Sequence, residues 1–567
     1  MKLRSQLAAV LLAALLGATV VARAASALER DARLARLPRL STIVYVTAHP
    51  DDESAAILTY LARGLHARVI LVAATRGEGG QNQVGPELGE ELAWVRTREL
   101  RQAAAGYGVE VRFLSAEDFG YSKSVPETLK LWGEEKLLGE LVYQIRDLKP
   151  VAVISHWSGT TRDGGGAHHQ AAGMLTQRAV RATADPEAFP EQLKQGLLPW
   201  QPRYFLIRTF NPDDGPVLPV PVDQPSPVAG KTYEQLGWEA FRNHRSQGMG
   251  DIDLRAVSFL RRYYLRVEAT LPEGVPAPAG VAELAPDLAV LADLFPSVPS
   301  LATWRERLSQ SVELAERARQ LSGDDKPADA ALALLEATGL LAGLRRELEG
   351  EPATPELGRA AAWVTEKQDE FFEAAGALAG VELEALTDRA ALTPGERVWV
   401  RVALKVGRPE VFRAAALKLD WLQVVVPGDW ELEPAGSGAS GESAEYVVDV
   451  PASADPANAP FPSLQARAQV RSGTLSFRLT EPVRGLGRSA SGEAVLEPVR
   501  LMPAVTLAVA PPLRLLRTAP GETTQEVWVR VEGHRPGLGK VSVWLDVPSG
   551  WYTPLPQEID LETVGSA

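Results

Sequence analysis

Residues 48–53 read Ala-His-Pro-Asp-Asp-Glu. One imidazole and two adjacent carboxylates share a single tight turn. His49 and one carboxylate can serve a divalent metal, and the second carboxylate is left over as a base. Asp also caps helices, but capping calls for one Asp and no His. A second His cluster, Ala167-His168-His169-Gln170, stands behind the run Gly164-Gly165-Gly166. The 567 residues contain no cysteine, which excludes thiolate ligands, thiol nucleophiles and a disulfide framework. Any metal would be held by His, Asp or Glu, a donor set that suits zinc or another divalent first-row ion.

Positioning such groups takes rigid elements. Thr42–Thr47 is apolar and β-branched, and reads as a buried strand leading into His49. Glu53–Ala62 reads as the helix that follows, ended by Gly64. Further buried strands are expected at 67–74, 109–114, 151–156 and 203–207. Helices are expected from about 86 to 107, from 126 to 147, and from the His168-His169 loop to about 182. This alternation argues for a mostly parallel sheet with helices on both faces, a Rossmann-like α/β fold. His49–Glu53, Glu78, Asp118 and His168-His169 all follow strands. They would gather at the carboxyl edge of the sheet, where ligands bind in open α/β folds. Gly77-Glu78-Gly79-Gly80 and the later glycine run match no nucleotide-binding fingerprint.

The formal net charge is −13, with no basic run, which argues against a nucleic-acid partner. Lys2 and Arg4 precede an uncharged apolar run, Leu7–Val21, and then Ala22-Arg23-Ala24 and Ala25-Ser26-Ala27. Residues 1–27 therefore read as a secretory signal peptide, too short in its apolar run for a membrane span. Its removal takes away Lys2, Arg4 and Arg23 and no acid, so the mature charge is −13 − 3 = −16. Export to the periplasm or beyond is the expectation, with no stable membrane span left after cleavage.

The expected domains are an α/β domain over 28–270, a helical spacer over 271–384, a β-sandwich module over 385–505 and an incomplete second one over 506–567. An internal repeat supports the β tail. Pro394-Gly395-Glu396 with Val398-Trp399-Val400-Arg401-Val402 is echoed by Pro520-Gly521-Glu522 with Val527-Trp528-Val529-Arg530-Val531. Val-Pro-x-x-Trp then recurs at 426–430 and 547–551.

Taken together, His49-Pro50-Asp51-Asp52-Glu53, Thr75-Arg76-Gly77-Glu78, Arg96-Thr97-Arg98-Glu99-Leu100, Asp118 and Ala167–Gly173 resemble the PIG-L/LmbE family of zinc-dependent N-acetylglucosamine de-N-acetylases. The resemblance covers roughly residues 40 to 265. Tyr233–Gly237 and His244–Gly248 resemble the large secreted bacterial members, which carry sandwich modules after the catalytic domain.

The resemblance implies that His49, Asp52 and His169 ligate zinc and leave a position for water. It implies that Asp51 is the general base, and that water on the metal attacks the acetamide carbonyl of an amino sugar or glycoconjugate. Arg96 would face the substrate and Asp118 would support the site, with Arg98 and Glu117 as competitors for those two places. One departure stands out. The family's later motif carries a His three residues before the third ligand, for the oxyanion, and here that position is Gly166. His168 is the adjacent candidate for the role. A catalytically weakened glycan-binding protein on the same fold is the alternative reading. A metal-dependent hydrolase of another bond is a third, disfavoured by the scarcity of cations in the site region. His156 could cap its strand or line the pocket, and His66, His244 and His534 read as structural. Glu53 either favours the helix start or orients a metal-binding His.

Overall fold

A computed structural model describes residues 30–561, except 165, 227–229, 252, 254–262, 272–273, 296, 438–441, 457–462, 489–493, 511–526, 536, 546, 548–551 and 553–554. The signal-like segment 1–27 lies outside the described residues, as do Pro520-Gly521-Glu522 and Pro548–Trp551 of the repeat. Two compact units result. The first runs to residue 325 and includes 336–371; the second takes 326–335 and the residues from 372 on.

The first unit is built on a seven-stranded sheet. Its strands are β1 Thr42–Thr47, β2 Arg68–Ala73, β3 Glu110–Phe113, β4 Ala152–Ser155, β5 Tyr204–Thr209, β6 Val217–Pro219 and β7 Tyr264–Thr270. Their spatial order is β3-β2-β1-β4-β5-β7-β6. The first five are parallel, with Ile43 opposite both Val69 and Ala152. β7 and β6 add an antiparallel edge. The chain therefore builds outward from β1 through β2 to β3, then returns to place β4 on the other side of β1. Such a reversal opens a crevice beyond the carboxyl ends of β1 and β4. β1 and β4 are buried on both faces, as a continuous apolar run requires.

The helices are α1 Ala55–Thr59, α2 Glu90–Tyr107, α3 Val125–Trp132, α4 Glu134–Leu148, α5 Ala167–Ala182, α6 Pro190–Lys194 and α7 Tyr233–Phe241. The helix expected to end at Gly64 does so, but its last turn, Tyr60–Gly64, is π-helical. The single helix expected over 126–147 is two, because Gly133 is left-handed (φ 71°). Residues 86–89 are not helical, and α2 begins only at Glu90.

Arg146 on α4 has a fully buried side chain whose nitrogens donate to the carbonyls of Thr183, Asp185, Ala188 and Phe189 and to Gln192 Oε1. One guanidinium thus closes the loop after α5. Arg146→Met keeps the apolar stem and strands these acceptors. It is expected to cost about 3 kcal/mol, the order of several buried carbonyls losing their donor. Denaturant unfolding of the two proteins measures it.

The stretch read as a helical spacer, 271–384, is largely helical. Its long helices are Arg305–Gly323, Pro327–Leu348 and Pro355–Leu378, and most of their length belongs to the first unit. Trp363 packs on Trp200 and Phe295, and its indole N–H donates to Lys149 O at 3.3 Å. Glu366 pairs with Arg68, and Arg319 with Asp31. The first strand of the β tail begins at Val381, before the expected boundary. Among the described residues one helix, Pro327–Leu348, is apolar and long enough to cross a membrane by those criteria alone (mean hydropathy 1.3), and half of that window is buried.

The second unit is antiparallel β in the main. A six-stranded sheet includes Val381–Leu386, Arg397–Val406 and Ser443–Asp449, and a three-stranded sheet comprises Lys418–Val425, Gln465–Ser472 and Leu475–Pro482. The two sheets pack on each other. Period-two burial along Arg397–Val406 puts Val398, Val400 and Val402 in the core. The second copy of the repeat contributes Trp528–Gly533, paired with Val505–Ala510.

Candidate active site

Residues 48–54 leave the end of β1 in a turn that brings four polar side chains together. Asp51 sits at φ 104°, a backbone region that non-glycine residues rarely occupy, and its N–H donates to Glu53 Oε2 at 2.9 Å. Strain of that kind persists only where the surroundings enforce it. Neither Asp51 nor Asp52 caps the helix: the N-cap is Ser54, without a side-chain bond.

Asp52 is the hub. Its Oδ2 accepts from Thr47 Oγ1 (3.1 Å), the His49 N–H (2.7 Å) and Trp157 Nε1 (3.3 Å), and lies 3.2 Å from His49 Nδ1. Its Oδ1 faces His169 Nε2 at 3.3 Å. Burial opposes charge on Asp52, yet the His49 and His169 imidazoles hold its carboxyl well below the usual range. His168 and His169 both stand in the first turn of α5, which the loop after β4 aims at the same crevice. His169 Nδ1 is bonded to Gly164 O, which leaves Nε2 for the site. His49 Nε2 lies 3.0 Å from His168 Nδ1.

Arg96 reaches the turn from α2. Its guanidinium donates to Asp51 Oδ1 at 2.7 Å, to Pro50 O and to Gly77 O, and stands 3.9 Å from Asp118 Oδ2. The glycines after β2 owe their place to this arginine. A Cβ on Gly77 or Gly80 would fall within 2.3 Å of its Nη1. Arg98 and Glu117 are exposed, so Arg96 and Asp118, both buried, occupy the interior positions. Burial pushes the Asp51 carboxyl up to about 6 against the pull of Arg96, with Asp52 adding to the rise.

Two sets of side chains have ligand atoms within 4.8 Å of one another: His49, Asp52 and His169; and His49, Asp118 and His168. Among the described residues, His66, His156, His244 and His534 join neither. The second set is compromised by Arg96, whose fixed positive charge lies against Asp118. Asp118 Oδ1 is also engaged with the Gly120 N–H.

His168 is buried, its ring lies against Phe119 and Trp132, and its Nε2 has no partner. Burial and then His49 push it down to about 4, so it is neutral near pH 7. Gly166 has φ 108°, and a Cβ there would sit 2.8 Å from Ser122 O. The backbone itself therefore excludes the side chain that the resemblance leads one to expect.

Sequence reasoning missed three participants. Trp157 stands two residues beyond β4, and no motif marks it. Tyr107 donates to Glu53 Oε1 at 3.0 Å from the far end of α2. His244, read as structural, is fully buried with Nε2 2.7 Å from the same Glu53 oxygen. Glu53 thus holds the Asp51 N–H from below and touches neither His49 nor His169. Ser246 in the same stretch donates to Glu99. His156 is clamped between Tyr45 Oη (2.8 Å) and Arg208.

Burial alone would lower the His244 pKa, but Glu53 overrides it and raises the value above the ordinary 6.5. Stability from this charge is present below 6.5 and is lost as pH rises through the raised value. Glu53 is lowered below its ordinary 4.5, since His244 overcomes burial there too, so its share is lost as pH falls through the lowered value. The pair's contribution is fully present from about pH 4.5 to 6.5. The melting-temperature gap between wild type and His244→Gln should be widest there and close as the medium becomes alkaline.

The structure is that of an α/β protein with a mostly parallel sheet, whose switch point carries a His/Asp cluster of metal-ligating type and a separate carboxylate. Residues 44–180 match the family described as PIG-L: GlcNAc-PI de-N-acetylase. Two curated relatives are named 1D-myo-inositol 2-acetamido-2-deoxy-alpha-D-glucopyranoside deacetylase. The one from Kineococcus radiotolerans is 31% identical over 194 residues (30% of this chain, 52% of the relative). The one from Thermobispora bispora is 34% identical over 180 residues (28% and 56%). The chain thus spans about half the length of these relatives. Among solved structures, N,N'-diacetylchitobiose deacetylase from Pyrococcus horikoshii is similar at 20% identity and a TM-score of 0.32, covering 40% of this chain and 83% of that one.

Proposed function

We propose that this chain is an exported, metal-dependent N-deacetylase that hydrolyses the acetamido group of an amino sugar or glycoconjugate. One observation carries the reading: His49, Asp52 and His169 converge at the sheet's switch point while a second carboxylate, Asp51, stays outside the ligand set. The names of the two relatives, deacetylases of an acetamido sugar, support the substrate class. Export rests on the signal-like residues 1–27.

The residues fit a zinc-type ion. Two imidazoles and a carboxylate form a known catalytic donor set, and Asp52 Oδ1 and His169 Nε2 are the atoms left free of other strong bonds. When bound, such a metal supplies Lewis acidity to the acetamide carbonyl and a lowered pKa to water. The chain's own groups do the rest. Asp51, raised toward neutrality and oriented by Arg96, takes the proton of the attacking water and returns it to the departing amine. His168, neutral and with Nε2 unspent, donates to the oxygen that becomes negative. Phe119 and Tyr121, partly and largely exposed after β3, offer ring faces to a sugar beside Arg96 and Asp118.

The test is acetate release from a panel of N-acetylated sugars by residues 28–567. One metal per chain, acetate and free amine in equal amounts, loss of turnover on chelation and recovery with zinc are the expected results. Stoichiometric metal without turnover on any member would favour the glycan-binding alternative, which the occlusion at Gly166 motivates.

A further inference from the structure

We propose that Trp157 is the positioning residue for this site and holds two of its three metal-binding side chains in register. The inference rests on the metal reading above and extends it to a residue outside the ligand set.

The indole touches both ligands in different ways. Its Nε1 donates to Asp52 Oδ2 at 3.3 Å. Its ring stacks on the His169 imidazole, with centroids 3.7 Å apart and planes 9° from parallel. The first contact helps spend Oδ2 on hydrogen bonds and so turns Oδ1 toward His169 Nε2. The second removes the swing of the His169 ring about its bond to Cβ. Two ligands from different elements, the turn after β1 and the start of α5, are thereby tied through one rigid plane.

Trp157 is itself built in. Its carbonyl accepts from Ser155 Oγ at 2.7 Å, and a Cβ on Gly173 of α5 would come within 2.8 Å of it. The next residues are pinned by Asp163, which accepts from the Ser158 and Gly159 N–H groups at 2.9 and 2.7 Å. His156 stands edge-on to the indole at 4.5 Å and is fixed by Tyr45 and Arg208. The Arg208 guanidinium lies 5.8 Å from the indole ring. Groups outside the ligand set that orient the ligands commonly carry a 10- to 100-fold share of metal affinity. Trp157 has the support that such a role needs.

Trp157→Phe keeps a ring to stack on His169 and removes the N–H; Trp157→Leu removes both. Apo full-length chain, titrated with zinc against a chromophoric chelator, should bind about 10-fold more weakly in the Phe variant and about 100-fold more weakly in the Leu variant. The cobalt(II) visible spectrum should shift in both, and the melting temperatures of the apo proteins should stay together. Wild-type affinity and an unchanged cobalt spectrum in both variants would overturn the inference and leave the metal reading standing. Should the Leu variant fail to fold, the Phe variant decides by the same measures. A wild-type chain that takes up neither zinc nor cobalt would sink the metal reading, and this inference with it.

Discussion

Asp51→Asn is expected to lower kcat/KM on an N-acetylated sugar by about 10³-fold, near 4 kcal/mol of transition-state stabilisation, while zinc binding stays at one per chain. The split matters more than the size. Asp51 is not among the three converging ligand residues, so its loss should leave the metal in place. Asn is the right probe because position 51 has φ 104°. Asn tolerates positive φ better than most residues, whereas Ala would add backbone strain and confuse the result. The amide oxygen can still accept from Arg96, which keeps the guanidinium where it is. What disappears is the capacity to take a proton. Rate constants and metal content of the two proteins, measured side by side, decide it. A variant within threefold of wild type would remove Asp51 as the base and point to Asp118 or His168 instead.

How much of this was legible beforehand depends on the range of the interaction. The parallel strands were readable because a strand buried on both faces must be apolar along its whole length, as Thr42–Thr47 and Arg68–Ala73 nearly are. The gathering of His49, Asp118 and His168-His169 followed from the strand–helix alternation, since each group lies between the carboxyl end of a strand and the first turn of the next helix. Contacts between distant segments were not readable. His244 meets Glu53 across 191 residues, and nothing local distinguishes it from any other buried imidazole. The antiparallel edge formed by β6 and β7 is short and polar in part, so its pattern is weak. Trp157 is an aromatic at a strand end, a position as common in cores as in sites. The helices after 271 show good periodicity, but periodicity says that a face is covered and not by what. Trp363 against Trp200 supplies that answer only in three dimensions.

The departure at Gly166 leads to the second large effect. His168→Ala should lower kcat by about 10²- to 10³-fold, the usual consequence of losing one donor to a developing oxyanion, with KM changed little. Elimination among the groups around the turn after β1 singles out His168. Arg96 is committed to Asp51, Pro50 and Gly77. Asp51 and Asp118 carry the wrong charge. His169 and His49 are bound up with Asp52. His168 alone among these combines burial, neutrality and an unpartnered nitrogen. The obvious repair, Gly166→His, should not rescue the His168→Ala variant. A side chain at 166 would be forced into a left-handed backbone with its Cβ 2.8 Å from Ser122 O, so the loop that presents His168 and His169 would have to move. Gly166→His alone should therefore lower both the melting temperature and turnover. Steady-state kinetics and thermal melts of the two single variants and the double variant make the comparison. Recovery of the double variant to within tenfold of wild type would show that the loop can accept a histidine three residues before His169, and that His168 is not the donor this backbone requires.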